Sequence, residues 1–340
     1  MSKTLRDMAK HMKSIIWPEV HEAYAVKPEF KEVTDEENIR EGIDAFRVFL
    51  HRFCDVLIAE GDSYDNRVKA SHPFENRAPT FPFLSNVRRL LLNIGFHGVL
   101  TDDTSVLIVG SDIFIKQISV FKNIETLQFL TDCGIQVDGI DLNKKRQKLS
   151  EIETVRISYP DNPTMLIGLK VLALAEIEFG IHGHDILLLC DYSALKKDET
   201  DVILILEHII KPLSIDMQNF ILQLHQRYLD KGLTASLGIR GFWIKIKYSR
   251  GSREIWGINK SLNNDFQINV KPKNMHKYAN TIEKLPLILQ ELIVEGYGCG
   301  RKRDHIGYCD GGCRGISIPL DESILDISDG IETWFEKELS

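Results

Sequence analysis

The sequence lacks any apolar run near the roughly 18 residues that a membrane-crossing helix needs. Its longest candidate, Val202 to Ile210, is broken by Glu207 and His208 and followed by Pro212. No membrane partner is expected. The opening MSKTLRDMAK has no continuous apolar core of the signal-peptide kind, so the expected location is cytoplasmic. Cysteine is scarce: six in 340 residues cannot make a disulfide scaffold. The common catalytic signatures are missing too. There is no GxxxxGK[ST], no GxGxxG between strand and helix, no G-x-S-x-G and no H-E-x-x-H. What remains is an ordinary globular composition, 43% apolar, with 42 Lys and Arg against 49 Asp and Glu.

The charge is uneven. Residues 241–320 hold 13 Lys and Arg and 7 Asp and Glu, while the last twenty residues turn acidic. A basic stretch followed by an acidic closing helix is expected to neutralise itself across a surface. The net charge of −7 argues against non-specific nucleic-acid binding.

Along the chain, Thr34-Asp35-Glu36-Glu37 predicts a capping box. Ile39, Ile43, Phe46, Leu50, Phe53 and Leu57 then form one helical stripe, and Gly61 is placed to end it in a left-handed turn. The stripe is short for a coiled coil; a homodimer through helix 35–60 is the minor alternative to packing on the chain's own core. Residues 62–85, with three prolines, read as an irregular connection.

Residues 86–198 read as a repeated unit in which a helix stops at glycine and strands follow. The expected helices are Asn86–Ile94, Asn123–Cys133 and one capped by Asn162-Pro163. The expected strands are Ser105–Val109, Ile135–Ile140, Thr154–Ser158 and Ile186–Cys190. Cys54, Cys133 and Cys190 lie in apolar patterns and read as buried thiols. His97, His182 and His184 sit at helix-to-strand joints, where dipole partners are expected rather than metal ligands.

The remainder, 199–340, begins with a helix capped by Ser214 and ended by Gly232. A three-stranded antiparallel meander of Phe242–Tyr248, Glu254–Asn259 and Phe266–Val270 follows, decorated by Trp243, Trp256, Lys245, Lys247 and Lys260. Helical pieces at His276–Glu283 and Pro286–Glu295, a strand at Arg314–Pro319 and a helix at Ser328–Glu338 complete the chain. Taken together these elements predict an α+β fold: a helical segment 1–61, the connection 62–85, a helix–strand domain 86–198 and an α+β domain 199–340.

Chemistry concentrates at 296–315, which carries seven glycines, three cysteines and a run of bases in twenty residues. One reading is a structural zinc held by Cys299, His305, Cys309 and Cys313, an accepted ligand set without the usual C-x₂-C spacing. A second is anion binding by glycine amides with Arg301, Lys302, Arg303 and Arg314, walled by Trp243, Tyr297 and Tyr308. A third is thiol redox chemistry favoured by cationic neighbours. Glu291 and Glu295, spaced i, i+4, read as a solvated face.

The run Lys271-Pro-Lys-Asn-Met-His-Lys-Tyr, the Gly-Tyr-Gly-Cys loop with its Cys-Asp-Gly-Gly-Cys-Arg-Gly, and the closing Ile-Glu-Thr-Trp-Phe-Glu-Lys resemble an uncharacterised family of proteins from Firmicutes. The C-terminal layout also resembles small YjbR-type or GyrI-type α+β domains in topology. The resemblance implies a bacterial cytoplasmic protein and brings no catalytic residues. The expected function is therefore non-enzymatic binding of a small anionic ligand or a metal at or near the loop. The alternatives are nucleic-acid binding through 241–320, with Trp243, Trp256 and Tyr248 as stacking rings, and a thiol enzyme or redox sensor.

Overall fold

The computed structural model describes residues 3–21, 24–64, 81–111, 120–142, 152–180, 185–198, 201–262, 266–273, 275–296 and 315–340. The chain divides into two units, 1–200 with 240–242, and 201–239 with 243–340. Both helices and antiparallel sheets are present, so the class is α+β.

The first unit is built on α1 (Leu5–Lys13), α2 (Glu36–Glu60), α3 (Pro82–His97), α4 (Val120–Asp132) and α5 (Met165–Phe179). The start of α2 corrects the expected capping box. Asp35, not Thr34, accepts the hydrogen bond, from the Asn38 amide at 2.9 Å. Gly61 follows α2 in right-handed rather than left-handed conformation. The apolar stripe of α2 is fully buried within this unit, where α1 and α5 pack on the helix. That is the expected packing of the stripe on the chain's own core. Gly42 of α2 and Gly168 of α5 let the two backbones touch. A Cβ on Gly168 would lie 2.1 Å from the Gly42 carbonyl oxygen.

A four-stranded antiparallel sheet accompanies these helices: β1 (Val99–Leu100), β2 (Val106–Gly110), β3 (Gln136–Asp138) and β4 (Thr154–Ser158), in the order β1-β2-β4-β3. Two helix–strand joints follow the expected grammar, and Gly134 takes the left-handed φ of +102° that ends α4's turn. Gly95 does not end α3, which runs on to His97. The third repeat fails. Ile186–Leu189 is a short helix, α6, not a strand. A continuous apolar run carries no period to tell strand from helix, and here Asp185 decides it by capping the Leu188 amide at 2.9 Å. Asn162-Pro163 does not cap α5 directly; Asn162 Oδ1 accepts from the amide of Thr164, the residue just before the helix.

Asp185 belongs to a buried ionic knot. Arg88 of α3 reaches Glu176 of α5 and, through Nε, Asp185 at 2.7 Å. The second Glu176 oxygen accepts the Leu187 amide at 2.6 Å. Every oxygen of both carboxylates serves the start of α6 or the guanidinium, so the knot reads as a fastening for that helix. The three described cysteines are buried as expected. Burial pushes the Cys54 thiol up to about 12 and raises Cys133 and Cys190 further, which makes all three poor nucleophiles.

The second unit opens with α7 (Val202–Ile210) and α8 (Ile215–Asp230). Ser214 caps α8 and Gly232 leaves it at φ +80°, both as expected. The meander has five strands rather than three: β5 (Thr234–Arg240), β6 (Trp243–Arg250), β7 (Arg253–Lys260), β8 (Phe266–Val270) and β9 (Ile316–Pro319), each beside the next. The short helix α9 (Ala279–Ile282), then α10 (Leu287–Gly296) and α11 (Ser328–Leu339), complete the unit.

Alternation gives this sheet two unlike faces. Ile244, Ile246, Tyr248, Trp256, Ile258, Ile268, Val270, Ile316 and Ile318 make the apolar face, all buried. On it Tyr248 and Trp256 stack at 3.8 Å between centroids, and Phe335 of α11 stacks on Trp256 at 5.2 Å. The rings expected to stack on nucleic-acid bases are thus core residues, and of the three only Trp243 lies on the other face.

The acidic closing helix is neutralised on its surface not by the basic stretch 241–320 but by α8, and only Glu338 takes a partner from that stretch. Glu332 pairs with Arg227 and Glu336 with Lys231, both basic partners belonging to α8 or its end. Glu338 turns inward and is bound by Arg253 at 2.6 Å, by the Lys273 amide at 2.9 Å and by the Tyr278 hydroxyl.

His225 of α8 is buried and hydrogen-bonded through Nδ1 to Tyr248 Oη at 2.8 Å. Burial lowers its pKa, against the opposing pull of Asp201 and Glu207. Below about pH 6.5 the unfolded chain therefore takes up a proton that the folded chain refuses. Stability of the second unit is expected to fall as pH drops through 6.5 towards the folded-state value. Urea unfolding at pH 7.5 and 5.5 checks this: His225→Gln should flatten the difference, and an unchanged difference would assign it elsewhere.

Candidate functional site

The second face of the five-stranded sheet is polar and largely withdrawn from solvent. The register sets it out in two rows. Lys245, Asn259, Gln267 and Pro319 lie opposite one another in the first. Lys247, Gly257, Asn269 and Ser317 make the second. Trp243 extends the same face beyond Lys245 and is half-buried. Lys245, Asn259 and Asn269 are all buried.

Gly257 explains how Lys245 is held. A Cβ there would lie 2.7 Å from the Ile246 carbonyl oxygen and 2.9 Å from Lys245 Cε. The missing side chain is the path along which the Lys245 stem crosses to Glu254. That carboxylate also meets Lys271, at 3.3 Å, so two ammonium groups share it. The bulge after Tyr248 brings Glu254 into reach, by setting Ser249 opposite Glu254 and skipping Ile255. Burial lowers the Lys245 pKa, and the Glu254 carboxylate works against that fall.

Asn259 and Lys247 are among the groups on this face without a partner among the described residues. Asn259 is 9% exposed, and its Oδ1 accepts no hydrogen bond. Lys247 forms no ion pair, and its Nζ leans over Gly238 of β5, 3.1 Å from where a Cβ would stand. Asn269, by contrast, donates to Ser317 Oγ at 3.3 Å.

The ends of the glycine-rich segment converge here. A Cβ on Gly315 would stand 2.5 Å from Asn269 Oδ1, and Gly315 holds φ +82°, which only glycine adopts readily. A Cβ on Gly296 would meet Ile316 Cγ1 at 2.8 Å. The chain thus leaves and returns beside the start of β9, leaving against Ile316 of the apolar face and returning against Asn269 of the polar one.

The residues expected to act in that segment, Cys299, Arg301, Arg303, His305, Cys309, Cys313 and Arg314, lie outside the described residues, as do Tyr297, Tyr308, His182 and His184. Among the described residues no group of three or more His, Cys, Asp or Glu is placed to hold a metal ion, and no helix is long and apolar enough to cross a membrane. Sequence reasoning placed Lys245, Lys247 and Trp243 on the meander but missed Asn259, Gln267 and Asn269. The alternation of Lys245 and Lys247 with Ile244, Ile246 and Tyr248 was the signal; extending it across β7 and β8 needs the register. No protein-family model matches this chain, and neither a curated protein nor a solved structure similar to it was found.

Proposed function

We propose that this is a cytoplasmic, non-enzymatic binding protein whose second unit takes up a small anionic ligand on the polar sheet face, with residues 296–315 forming the adjacent wall. What supports the reading is that Gly315, the return end of that segment, meets Asn269 on the margin of a withdrawn polar face that carries a lysine, Lys247, without an ion-pair partner among the described residues. Arg301, Arg303 and Arg314 add positive charge within the same segment of sequence. A structural zinc on Cys299, His305, Cys309 and Cys313 would staple a segment too rich in glycine to build its own core.

Trp243 supplies the test. Trp17, Trp256 and Trp334 are buried, so fluorescence quenching by solvent and ligand falls chiefly on Trp243. Titration of the full chain with inorganic phosphate and with citrate is expected to give a saturable change that Trp243→Phe removes. Elemental analysis of protein purified without a His tag or chelator is expected to give about one zinc per chain, with the three loop thiols unreactive until it is stripped. No saturable response to either anion would overturn the ligand reading. Freely titrating loop thiols without metal would overturn the zinc.

A further inference from the structure

We infer that Asp138 is a site of spontaneous covalent modification: its side chain closes on the amide of Gly139, and the chain there converts to an isoaspartyl linkage. The inference is independent of the ligand reading above.

The chemistry needs an aspartate followed by a residue that leaves the next amide unhindered. The Gly139 nitrogen bonds to Asp138 Cγ. The proton of that nitrogen and the hydroxyl of the carboxyl group leave together as water, and a five-membered imide remains. Water then opens the ring at either carbonyl. One opening gives back aspartate; the other leaves the backbone routed through Cγ, with the α-carboxylate as the side group. Only water is released and taken up.

The chain carries Asp-Gly three times, at 138, 310 and 329. Asp310 lies outside the described residues. The other two pairs sit in the same tripeptide, Asp-Gly-Ile, so their placement in the fold is what separates them.

The ring closes only when the backbone between the two residues turns out of its strand or helix dihedrals, so the rate follows local opening. Asp138 is the last residue of β3, a strand of three residues at the edge of its sheet, laddered there to β4. Frayed ends of this kind open at little cost. Asp138 and Gly139 are both exposed. Asp329 and Gly330 lie instead in the first turn of α11. A Cβ on Gly330 would stand 2.6 Å from Pro286 Cδ and 3.1 Å from Leu289 Cδ1. Opening that turn would disturb the seats of Ile331 and Trp334, both fully buried.

The fold also fixes the reactive pair. Gly139 holds φ +102°, and a Cβ there would lie 2.9 Å from the Thr154 carbonyl oxygen. A bulkier residue that would shield the nitrogen is therefore not accepted. Modification adds a backbone carbon at the position opposite Arg156 and takes the end of β3 out of step with β4.

Ageing the full-length wild-type protein in neutral buffer tests this. Peptide mapping with electron-transfer fragmentation tells the two isomers apart at equal mass. It is expected to find isoaspartate at 138 at least about tenfold above that at 329, the ratio for a difference of about 1.4 kcal/mol in local opening. In urea, where neither pair is held, the two sites should react alike. No isoaspartate at 138, or equal amounts at 138 and 329 in the folded protein, would overturn the inference. So would a difference of the same size in urea, which would assign it to the preceding valine and serine rather than to the fold.

Discussion

Replacing Gly168 with alanine is expected to cost the first unit at least about 2 kcal/mol. Propensity alone predicts the opposite, because alanine is favoured over glycine in a helix interior by about 1 kcal/mol. The geometry decides. The added Cβ would lie 2.1 Å from the Gly42 carbonyl oxygen and 2.7 Å from Phe46 Cβ, distances that real atoms do not share. Two of the longest helices would have to move apart along their whole contact, and overpacking of this kind costs about 1–3 kcal/mol or more. For a unit of this size the loss corresponds to a fall of roughly 4–8 °C in Tm. Trp17 is the single tryptophan of residues 1–200, and its emission follows this unit. Gly61→Ala is the control in the same unit, since its φ is −55° and a Cβ there meets nothing closer than 3.6 Å. A Gly168→Ala protein that melts at or above the wild-type temperature would refute the backbone contact.

Glu338→Ala is expected to be the most damaging single change in the second unit, at about 3 kcal/mol. The carboxylate is 3% exposed and serves three donors at once: Arg253, the Lys273 amide and the Tyr278 hydroxyl. Removing one partner of a buried ion pair costs about 3–5 kcal/mol because the other charge is stranded. Arg253 retains access to water, 36% of its side chain being exposed, which places the expected loss at the lower end. Glu338→Gln keeps an oxygen for the amide or the hydroxyl and gives up the charge, so it should cost about half as much. Urea unfolding followed through Trp256 and Trp334 measures both. Two variants of equal stability would mean that the charge of Glu338 contributes nothing.

These two positions also show where the sequence is readable. Ser214, Gly232 and Gly134 announce helix ends because a cap or a left-handed turn is decided within four residues. The α2 stripe is legible for the same reason: its period lies in the chain itself. Gly168 gives no such sign, since its role depends on Gly42, a partner remote in sequence. Glu338 reads as one more surface acid until Arg253 is brought against it. The run Ile186–Leu189 was misread as a strand because four consecutive apolar residues hold no period. The candidate site divides along the same line. Lys245 and Lys247 could be placed on one face by counting in twos. Asn259, Gln267 and Asn269 join them only through strand pairing, and the bulge after Tyr248 shifts the count within β7. Counting in twos from Trp256 does place Lys260 on the apolar side, where it is buried over the Phe266 ring at 4.2 Å.

The connectivity of the second sheet sets the order in which it assembles. Strands β5 to β8 follow one another through short turns, so their pairings close small loops and cost little chain entropy. The partner of β8 on its far side is different, because β9 arrives only after the whole stretch from Lys271 to Gly315. Its four residues must be brought back over that distance before any hydrogen bond rewards them. The β8–β9 ladder is therefore the late step of folding and the early step of opening. The margin of the polar face, where Gly315 meets Asn269, is completed by that last strand, so the protein acquires its candidate site only when the slowest contact in the sheet has formed.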